Sequence, residues 1–470
     1  MFLNLNTEMA PENSTLPKKK SFTWNSTLPK IIVLVLCIFV MYIRTPLLFL
    51  QPRFWAEEGL IYFSYAFHHS WYKALLTPHY SYYSLFDNIA SILAANIVPL
   101  RYAPFVTTYL AFSIQLIPFA IILWGNSSLW DNMYKKIIVV LIVLFTALSG
   151  EVYLNLLGST FHFSLITFLI LMEDVGNITT VRKWSYRILL VFAGLTGPVS
   201  CFLTPLFMYK AWSNRTREHI VQVSILSICA LVQLLVVLMF VHNNALPVTR
   251  FKGLDVSTLL SIIWVKTIVL PILGPKTAYT FFAEAAKRIS SIGYNEILLF
   301  ILLVVFFKSL ISRVAPQKQM MILSSFILLT VISTFAADDP HKTSFIMASN
   351  PIPGGRYFYV PNILIKILLF SGIPYALMEI IISPHTPLNK TKELFGKVQP
   401  LLCSLLLILS LYTGIIYYKD ARMIKPFVNN TWPKWTEEVS KWEQDRNYKL
   451  RIWPEWCAGC SMELKGRPSD

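Results

Sequence analysis

Long runs of apolar residues, separated by polar segments, follow one another along most of the chain. Each run is close to the length of about 20 residues that an α-helix needs to cross a bilayer. The runs do not show the alternation over about ten residues that is typical of membrane β-strands. The pattern therefore predicts an all-α polytopic membrane protein.

About eleven transmembrane helices account for these runs. Glycine and proline interrupt one long stretch near Gly197 and Pro198, which indicates two short helices joined by a turn. The spans are expected at about 31–50, 103–125, 137–152, 158–172, 188–212 as two short helices, 220–241, 295–312, 320–337, 362–383 and 398–418.

Two further apolar stretches are not counted as spans. Residues 87–100 form a short stretch, which we expect to lie on the membrane or dip into it. Residues 258–274 contain Pro271 and end at Gly274. A re-entrant segment fits this second stretch, because backbone freed by proline at membrane depth must be buried in protein or line a cavity.

Clusters of Lys and Arg set the predicted orientation. Lys18, Lys19 and Lys20 precede the first span and place the N-terminus in the cytoplasm by the positive-inside rule. The chain then divides into a cytoplasmic segment 1–30, a transmembrane domain 31–418 and an outer C-terminal tail 419–470. The outer loops are 51–102, with short interfacial helices, 242–294 and 338–361. We expect the tail to be a small helical cap.

Composition excludes several other classes of protein. Of the 470 residues, 55% are hydrophobic and only 14% are charged, whereas soluble proteins carry roughly 25% charged residues. A soluble enzyme, a disordered chain and a disulfide-built secreted module are excluded. The net charge of +16 reflects basic cytoplasmic loops and predicts a lipid bilayer, and no nucleic acid, as the partner.

Two adjacent acids, Glu57 and Glu58, follow the first span within Phe54-Trp55-Ala56-Glu57-Glu58-Gly59. Carboxylates beside a membrane are costly without a partner or a task. Desolvation raises their pKa, which suits a general base. The alternative is an interfacial anchor, because Trp and Arg commonly lie at the headgroup level.

Two more polar groups stand at the ends of apolar runs. Glu151 and Asn155 lie between the third and fourth spans, where a helix-capping role is the alternative to a functional one. Arg356 and Tyr357 precede the tenth span, where the guanidinium could bind a phosphate bidentately or act as a headgroup anchor. His162 alone predicts a packing residue.

Aromatic and metal-ligating residues add weaker candidates. His79 stands beside Tyr80, Tyr82 and Tyr83, a group that predicts an interfacial belt or a substrate-contacting surface. Asp338, Asp339 and His341 could help to hold a divalent ion, although a solvated turn explains them as well. In the tail, Trp435 and Trp442 are seven residues apart and predict a packed helix, and Cys457 and Cys460 could form a small-loop disulfide.

The segment Trp55-Ala56-Glu57-Glu58-Gly59 is similar to the W-A-E-[DE]-G signature of bacterial GT-C glycosyltransferases, multi-span enzymes that take sugars from polyprenyl-phosphate donors. The layout as a whole resembles the serotype-converting O-antigen glucosyltransferases of phage-borne clusters. This resemblance implies a bacterial inner-membrane enzyme with a periplasmic tail. It would move a hexose, glucose in the first place, to a lipopolysaccharide O-antigen acceptor.

The resemblance also implies residue roles. Glu57 would be the base, and Glu58 would orient it or hold a divalent cation, with no other cofactor implied. Arg356 would bind the donor phosphate, and Glu151 and Asn155 would contact acceptor or donor hydroxyls. Tyr357 and His79 would also contact the substrates.

Two other functions remain open. An O-antigen polymerase is also multi-span, but such enzymes place functional arginines in large central outer loops. A lipid-linked sugar flippase or other transporter predicts charges buried within spans. Here Arg44, Lys308 and Lys366 are the clearest, and each is expected near a span end or snorkelling to the interface.

Overall fold

The computed structural model describes residues 27–147, 149–243, 259–260, 262–289, 295–310, 316–337, 354–382, 390–418, 434–453 and 461–465. Most of the N-terminal segment 1–30 and residues 338–353 of the predicted outer loop 338–361 lie outside the described residues. The predictions made for Asp338, Asp339, His341, Cys457 and Cys460 therefore also lie outside them.

Within these ranges the chain is almost wholly helical. The α-helices are α1 Thr27–Arg44, α2 Pro46–Leu50, α3 Ser64–His68, α4 Trp71–Leu76, α5 Leu85–Asn96, α6 Ala103–Trp124, α7 Met133–Leu144, α8 Ser159–Met172, α9 Thr180–Leu195, α10 Thr204–Asn214, α11 Arg217–His242, α12 Leu270–Ile289, α13 Asn295–Leu310, α14 Pro316–Ala337, α15 Tyr359–Ile382, α16 Lys390–Ile416 and α17 Trp435–Gln444. Shorter elements are the π-helices Glu58–Phe63 and Ile263–Val269, and the 3₁₀ turns Leu100–Tyr102, Ser128–Trp130, Ser149–Val152, Val175–Asn177, Val199–Leu203 and Gly355–Phe358.

Five of the described helices are long and apolar enough to cross a membrane. They are Thr27–Arg44, Leu100–Trp124, Arg217–His242, Gly355–Ile373 and Gln399–Ile416. Several expose large apolar side chains, such as Ile228, Leu231 and Leu235 on α11. Apolar surface of this extent is costly in water and suits contact with lipid chains. The helical membrane architecture is thus supported, whereas the full count of eleven spans stays a prediction.

The centre of the assembly is α8, whose fourteen residues are all buried. A helix that is apolar on every side is stable only when other elements surround it. Helices α6, α9 and α15 pack around α8. His162, on α8, bonds through Nε2 to the Val152 carbonyl at 3.1 Å and packs against Tyr359, so the predicted packing role is confirmed.

The segment 258–274 contains the break that its proline and glycine predict. The π-helix Ile263–Val269 runs into α12, and Gly274 then adopts a φ of 88° inside α12. This left-handed backbone ends the regular helix and turns the chain before Pro275. The short helix predicted over 87–100 is also present, as α5.

Basic loops that the charge pattern assigns to one side meet at one end of the assembly. Lys136 Nζ donates to the carbonyls of Leu123 and Gly125 at 2.9 and 3.0 Å. Lys318 forms an ion pair with Asp174 at 3.1 Å. The loops 125–136, 173–187, 210–218 and 316–318 therefore lie together; we call this the basic end.

The C-terminal tail packs against the first predicted outer loop. Trp435 and Trp442 are buried, which confirms the packed interpretation of this pair. Trp435 Nε1 donates to the Leu100 carbonyl at 2.9 Å. The tail is not purely helical as predicted, because β1 Leu450–Arg451 pairs antiparallel with β2 Ser461–Met462. Strands of two residues are too short to give a periodic sequence signal.

Arg44 and Lys366 are buried and do not snorkel to the interface, although Arg44 is the last residue of α1 and so lies near a span end as predicted. Arg44 is enclosed between the rings of Tyr153 and Tyr418, and its Nε donates to the Tyr418 carbonyl at 2.9 Å. Lys366 is fully buried and donates to the Phe145 carbonyl at 3.2 Å. Each cation has a main-chain carbonyl as a hydrogen-bond partner inside the protein, which favours its buried position.

Candidate functional site

A strained turn positions the two adjacent acids. Ala56 has a φ of 36°, which is unfavourable for a residue with a side chain. Its N–H donates to the Trp453 carbonyl, and Trp453 N–H donates to the Phe54 carbonyl at 3.0 Å. The tail therefore holds the main chain immediately before Glu57. Unusual backbone that the surroundings enforce is characteristic of functional sites.

The π-helix Glu58–Phe63 begins directly after this turn. At Gly59, an added Cβ would lie 2.8 Å from the Phe54 Cβ, so only glycine fits this close approach. The glycine of the Glu57-Glu58-Gly59 motif therefore has a packing reason. Short π-helical turns recur at functional sites because they reorient side chains within a helix.

The two acids lie in different environments. Glu58 is 1% exposed, and its Oε2 accepts from the Leu156 N–H at 3.1 Å. Burial raises the pKa of Glu58 to about 7, opposed by the nearby Thr107 hydroxyl and the Leu156 bond. Glu57 keeps partial solvent exposure. Glu57 can therefore meet a substrate, whereas Glu58 lies inside the protein.

A tight hairpin brings tyrosines beside Glu57. His79 and Tyr82 exchange two main-chain hydrogen bonds of 3.1 Å, and the central residues Tyr80 and Ser81 have φ of 50° and 71°. Burial raises the pKa of Tyr80 to about 12; the Glu57 charge adds to the rise and the Arg356 charge opposes it. Tyr80 therefore lies near both Glu57 and Arg356.

His79 is placed in an aromatic cluster. Its ring packs edge-on against Tyr62 and Tyr65, with ring centres 4.9 and 5.2 Å away. Burial lowers the pKa of His79 to about 4. The imidazole is therefore neutral at neutral pH and contributes aromatic packing instead of charge.

Arg356 meets Glu151 from a distant part of the chain. The Arg356 main-chain N–H donates to Glu151 Oε2 at 3.0 Å. The guanidinium donates to the Tyr357 hydroxyl at 3.2 Å and lies over the Tyr357 ring. The charges of both Glu151 and Glu57 act on this guanidinium. Three predicted residues, Glu151, Arg356 and Tyr357, are thus in contact. Glu57, 299 positions before Arg356 in the sequence, lies close enough for its charge to act on them.

Asn155 supports the turn that carries Glu151. Its Nδ2 donates to the Glu151 carbonyl at 2.8 Å, and its Oδ1 accepts from the Gly158 N–H at 2.7 Å. The preceding residue, Leu154, has a φ of 51°. Asn155 is buried, so its hydrogen bonds stabilise the strained turn from within.

Two ionisable residues described at the site, Lys266 and Asp87, were not among the sequence candidates. Lys266, in the π-helix Ile263–Val269, is buried, lies 5.1 Å from the centre of the Phe358 ring, and is acted on by the Glu151 charge. A lysine within the apolar stretch 258–274 was the available signal. Asp87 lies in the first turn of α5, and its Oδ2 accepts from the Ser84 hydroxyl at 2.7 Å.

Asp87 lies behind Glu58 in the buried part of the site. Burial raises the pKa of Asp87 to about 8; the Ser84 hydrogen bond opposes the rise and the Glu58 charge adds to it. Among the described residues, no group of three or more His, Cys, Asp or Glu side chains could hold a metal ion.

The site combines a partly exposed carboxylate, a guanidinium, a lysine and several phenols from four separate parts of the chain. Together with the apolar helices, it defines a helical protein of membrane type with a charged site at one end. No protein-family model, curated protein or solved structure matches the chain.

Proposed function

We propose that the protein is a membrane glycosyltransferase that moves a hexose, glucose in the first place, from a polyprenyl-phosphate donor to an O-antigen acceptor. The observation that supports this most is that the partly exposed Glu57 lies in the same site as Arg356, close enough for its charge to act on the guanidinium. A transfer of this kind needs a base for the acceptor hydroxyl and a cation for the departing phosphate. The arrangement provides one of each.

In the proposed reaction, Glu57 takes the proton from the acceptor hydroxyl. The acceptor oxygen then bonds to the anomeric carbon while the bond between that carbon and the donor phosphate oxygen breaks. The phosphate leaves on the polyprenyl chain with its electron pair. Arg356 and Lys266 stabilise the charge that develops on it.

The neighbouring residues would hold these groups in place. Glu58, buried and bonded to Leu156, fixes the start of the π-helix that follows Glu57. Glu151 fixes the Arg356 main chain through its N–H. Tyr80, beside Glu57 and Arg356, could contact a sugar ring or its hydroxyls. Enzymes need such support because small displacements of reacting groups cost large factors in rate.

We further propose that this site faces the periplasm of a bacterial inner membrane, with the basic end in the cytoplasm. The positive-inside rule supports this orientation, because the loops of the basic end are rich in Lys and Arg. The tail, which contacts the first predicted outer loop through Trp435 and Trp453, would then be periplasmic.

The test uses membrane vesicles that contain the chain, a radiolabelled polyprenyl-phosphate glucose and purified O-antigen. Wild type should transfer label, and Glu57→Gln should not, with equal protein in the membrane. Glu437→Gln removes an exposed acid on α17 and should retain activity. Transfer to added acceptor should occur in right-side-out vesicles and be lost in sealed inverted ones.

A lipid-linked sugar transporter is the second candidate, because Lys366 is a fully buried cation within an apolar helix. Movement of intact labelled donor across the bilayer, without label in the polysaccharide, would favour this function. Full activity of Glu57→Gln would show that another group is the base.

A further inference from the structure

A second polar site lies at the basic end, beyond the C-terminal end of α6. The candidate active site lies towards the opposite end of this helix. A cavity of about 180 Å³ opens there between α8, α10 and α14. Its polar lining comes from Lys210, Lys318, Asp174, Ser213 and Asn214, with Gln317 beside them, and its apolar lining comes from Leu171, Met172, Tyr209 and Met321. The cavity is therefore amphipathic.

Lys210 lines this cavity and is held in place by hydrogen bonds. It is nine-tenths buried, and its Nζ donates to the carbonyls of Leu171 and Glu173, the second at 2.7 Å. A lysine ammonium has three N–H donors. Two of them bond to carbonyls at the C-terminal end of α8, so one donor remains for a group in the cavity.

Lys318 also lines the cavity, and it forms an ion pair with Asp174. Its Nζ lies 3.1 Å from each oxygen of Asp174 and also donates to the Ser128 hydroxyl. Its side chain keeps about a third of its exposure. The charges of Lys318 and Asp174 therefore cancel. Because Lys210 bonds only to neutral carbonyls, its charge makes the cavity positive overall.

The surroundings of the cavity also favour an anion. The loops 125–136, 173–187, 210–218 and 316–318 carry nine Lys and Arg residues and four Asp and Glu residues. The positive field extends over the whole basic end, where it attracts anionic groups at a membrane surface. The cavity thus offers a concave, partly apolar place within that field.

Exposed aromatic residues near the cavity indicate at which level of the bilayer it would lie. Trp212 and Trp184 are 70% and 57% exposed on α10 and α9. Exposed tryptophans beside basic residues are typical of the headgroup level of a bilayer. Lys210 precedes Trp212 by two residues on the same helix. The cavity therefore lies where a lipid phosphate meets the glycerol and the first carbons of the acyl chains.

We propose that this cavity binds the headgroup of an anionic phospholipid from the leaflet at the basic end. The lipid phosphate accepts from the remaining donor of Lys210 and lies beside Lys318, whose positive charge attracts it. The glycerol hydroxyls or ester groups meet Ser213 and Asn214, and the acyl chains leave past Met321 and Tyr209. The bound lipid ties α8, α10 and α14 together at their ends.

The experiment measures lipid binding to the full chain in detergent by native mass spectrometry. Phosphatidylglycerol should bind more tightly than zwitterionic phosphatidylethanolamine. Lys318→Gln should weaken phosphatidylglycerol binding about fivefold, since one basic residue near an anionic surface contributes about that factor. Lys183→Gln, which removes a partly exposed charge of the same end outside the cavity, should leave binding unchanged.

A second variant separates charge from folding. Ser213→Phe fills the cavity and leaves both lysines in place, so it should reduce phosphatidylglycerol binding without lowering thermal stability in detergent. Equal binding of the two lipids, or unchanged binding by Lys318→Gln or Ser213→Phe, would overturn the proposal. Competition by inorganic phosphate at the same concentration would mean that the site takes free phosphate and not a lipid.

Discussion

Glu57 and Glu58 are neighbours in sequence, yet they meet opposite surroundings. The strained Ala56 turn directs the chain into a π-helix, so Glu58 points into the protein and Glu57 remains partly exposed. A buried carboxyl holds its proton to a higher pH than an exposed one. The ability of each carboxyl to hold or release a proton therefore depends on whether the turn directs it into the protein or towards solvent.

Replacement of Glu58 by Gln should flatten the pH dependence of stability. Burial raises the pKa of Glu58 to about 7 from 4.5, so the folded protein holds a proton that the unfolded chain releases between these values. This group therefore makes the folded state progressively less stable as pH rises from 4.5 towards 7.

The effect of Glu58 amounts to about 3 kcal/mol at most. Glu58→Gln should reduce the difference in melting temperature between acidic and neutral pH, measured in detergent. Glu437→Gln, at an exposed position, should keep the wild-type profile. An unchanged profile in Glu58→Gln would show that this carboxyl is not buried in the folded protein.

Arg356→Lys should raise the KM for the lipid donor by about tenfold or more, because hydrogen bonds to charged groups contribute about 1.5–3 kcal/mol and an ammonium lacks the guanidinium fork. The bond from the residue 356 main chain to Glu151 is retained in this variant. Steady-state kinetics with varied donor provide the measurement. A donor KM equal to that of wild type would exclude Arg356 from the donor site.

At the scale of elements, close contacts between helices depend on small residues. Gly414 on α16 packs directly against the chain at the end of α7, where an added Cβ would lie 1.7 Å from the Phe145 carbonyl oxygen. That same carbonyl accepts the hydrogen bond from the buried Lys366. One contact therefore fixes three helices, α7, α15 and α16.

Gly414→Ala should destabilise the protein by about 1–3 kcal/mol, the usual cost of forcing extra atoms into a packed interior. The methyl group would displace the Phe145 carbonyl and weaken its bond to Lys366. Gly176→Ala is a matched control, because nothing lies within 4 Å of the added Cβ there. Thermal denaturation in detergent compares the two; equal melting temperatures would contradict the packing at Gly414.

At the scale of the whole molecule, α6 connects two different ends. Its N-terminal side lies beside the tail, through the bond from Trp435 to Leu100. Its C-terminal side lies at the basic end, where Lys136 caps its last carbonyls. A helix of this length extends about 33 Å, close to the hydrocarbon thickness of a bilayer. The tail and the basic loops would therefore lie on opposite membrane faces.

Trp435→Ala should release the tail from the first predicted outer loop. Truncation of a buried tryptophan costs about 3–5 kcal/mol, so the tail should become sensitive to limited proteolysis. Transfer activity should fall with it, because the Trp453 carbonyl no longer holds the turn before Glu57. Arg101→Ala breaks only an exposed ion pair with Glu443 and should have little effect. A protected tail in Trp435→Ala would contradict this packing.

The sequence by itself determined the helical class, the membrane character, the short helix after the first span and the break at Gly274. These features depend on local hydrophobicity, length and backbone preference, which are properties of neighbouring residues. It also singled out Glu57, Glu58, Glu151 and Arg356 as separate candidates.

Only the tertiary structure decided which of these residues meet. Contacts between positions hundreds of residues apart leave no local pattern. The contact between Glu151 and Arg356, the presence of Lys266 and Asp87 at the site, and the contacts of the tail with the turn before Glu57 therefore could not be predicted. The burial of Lys366 and Arg44 was missed for the same reason. A buried cation is stable where distant main-chain carbonyls meet it, and packing alone brings those carbonyls into place.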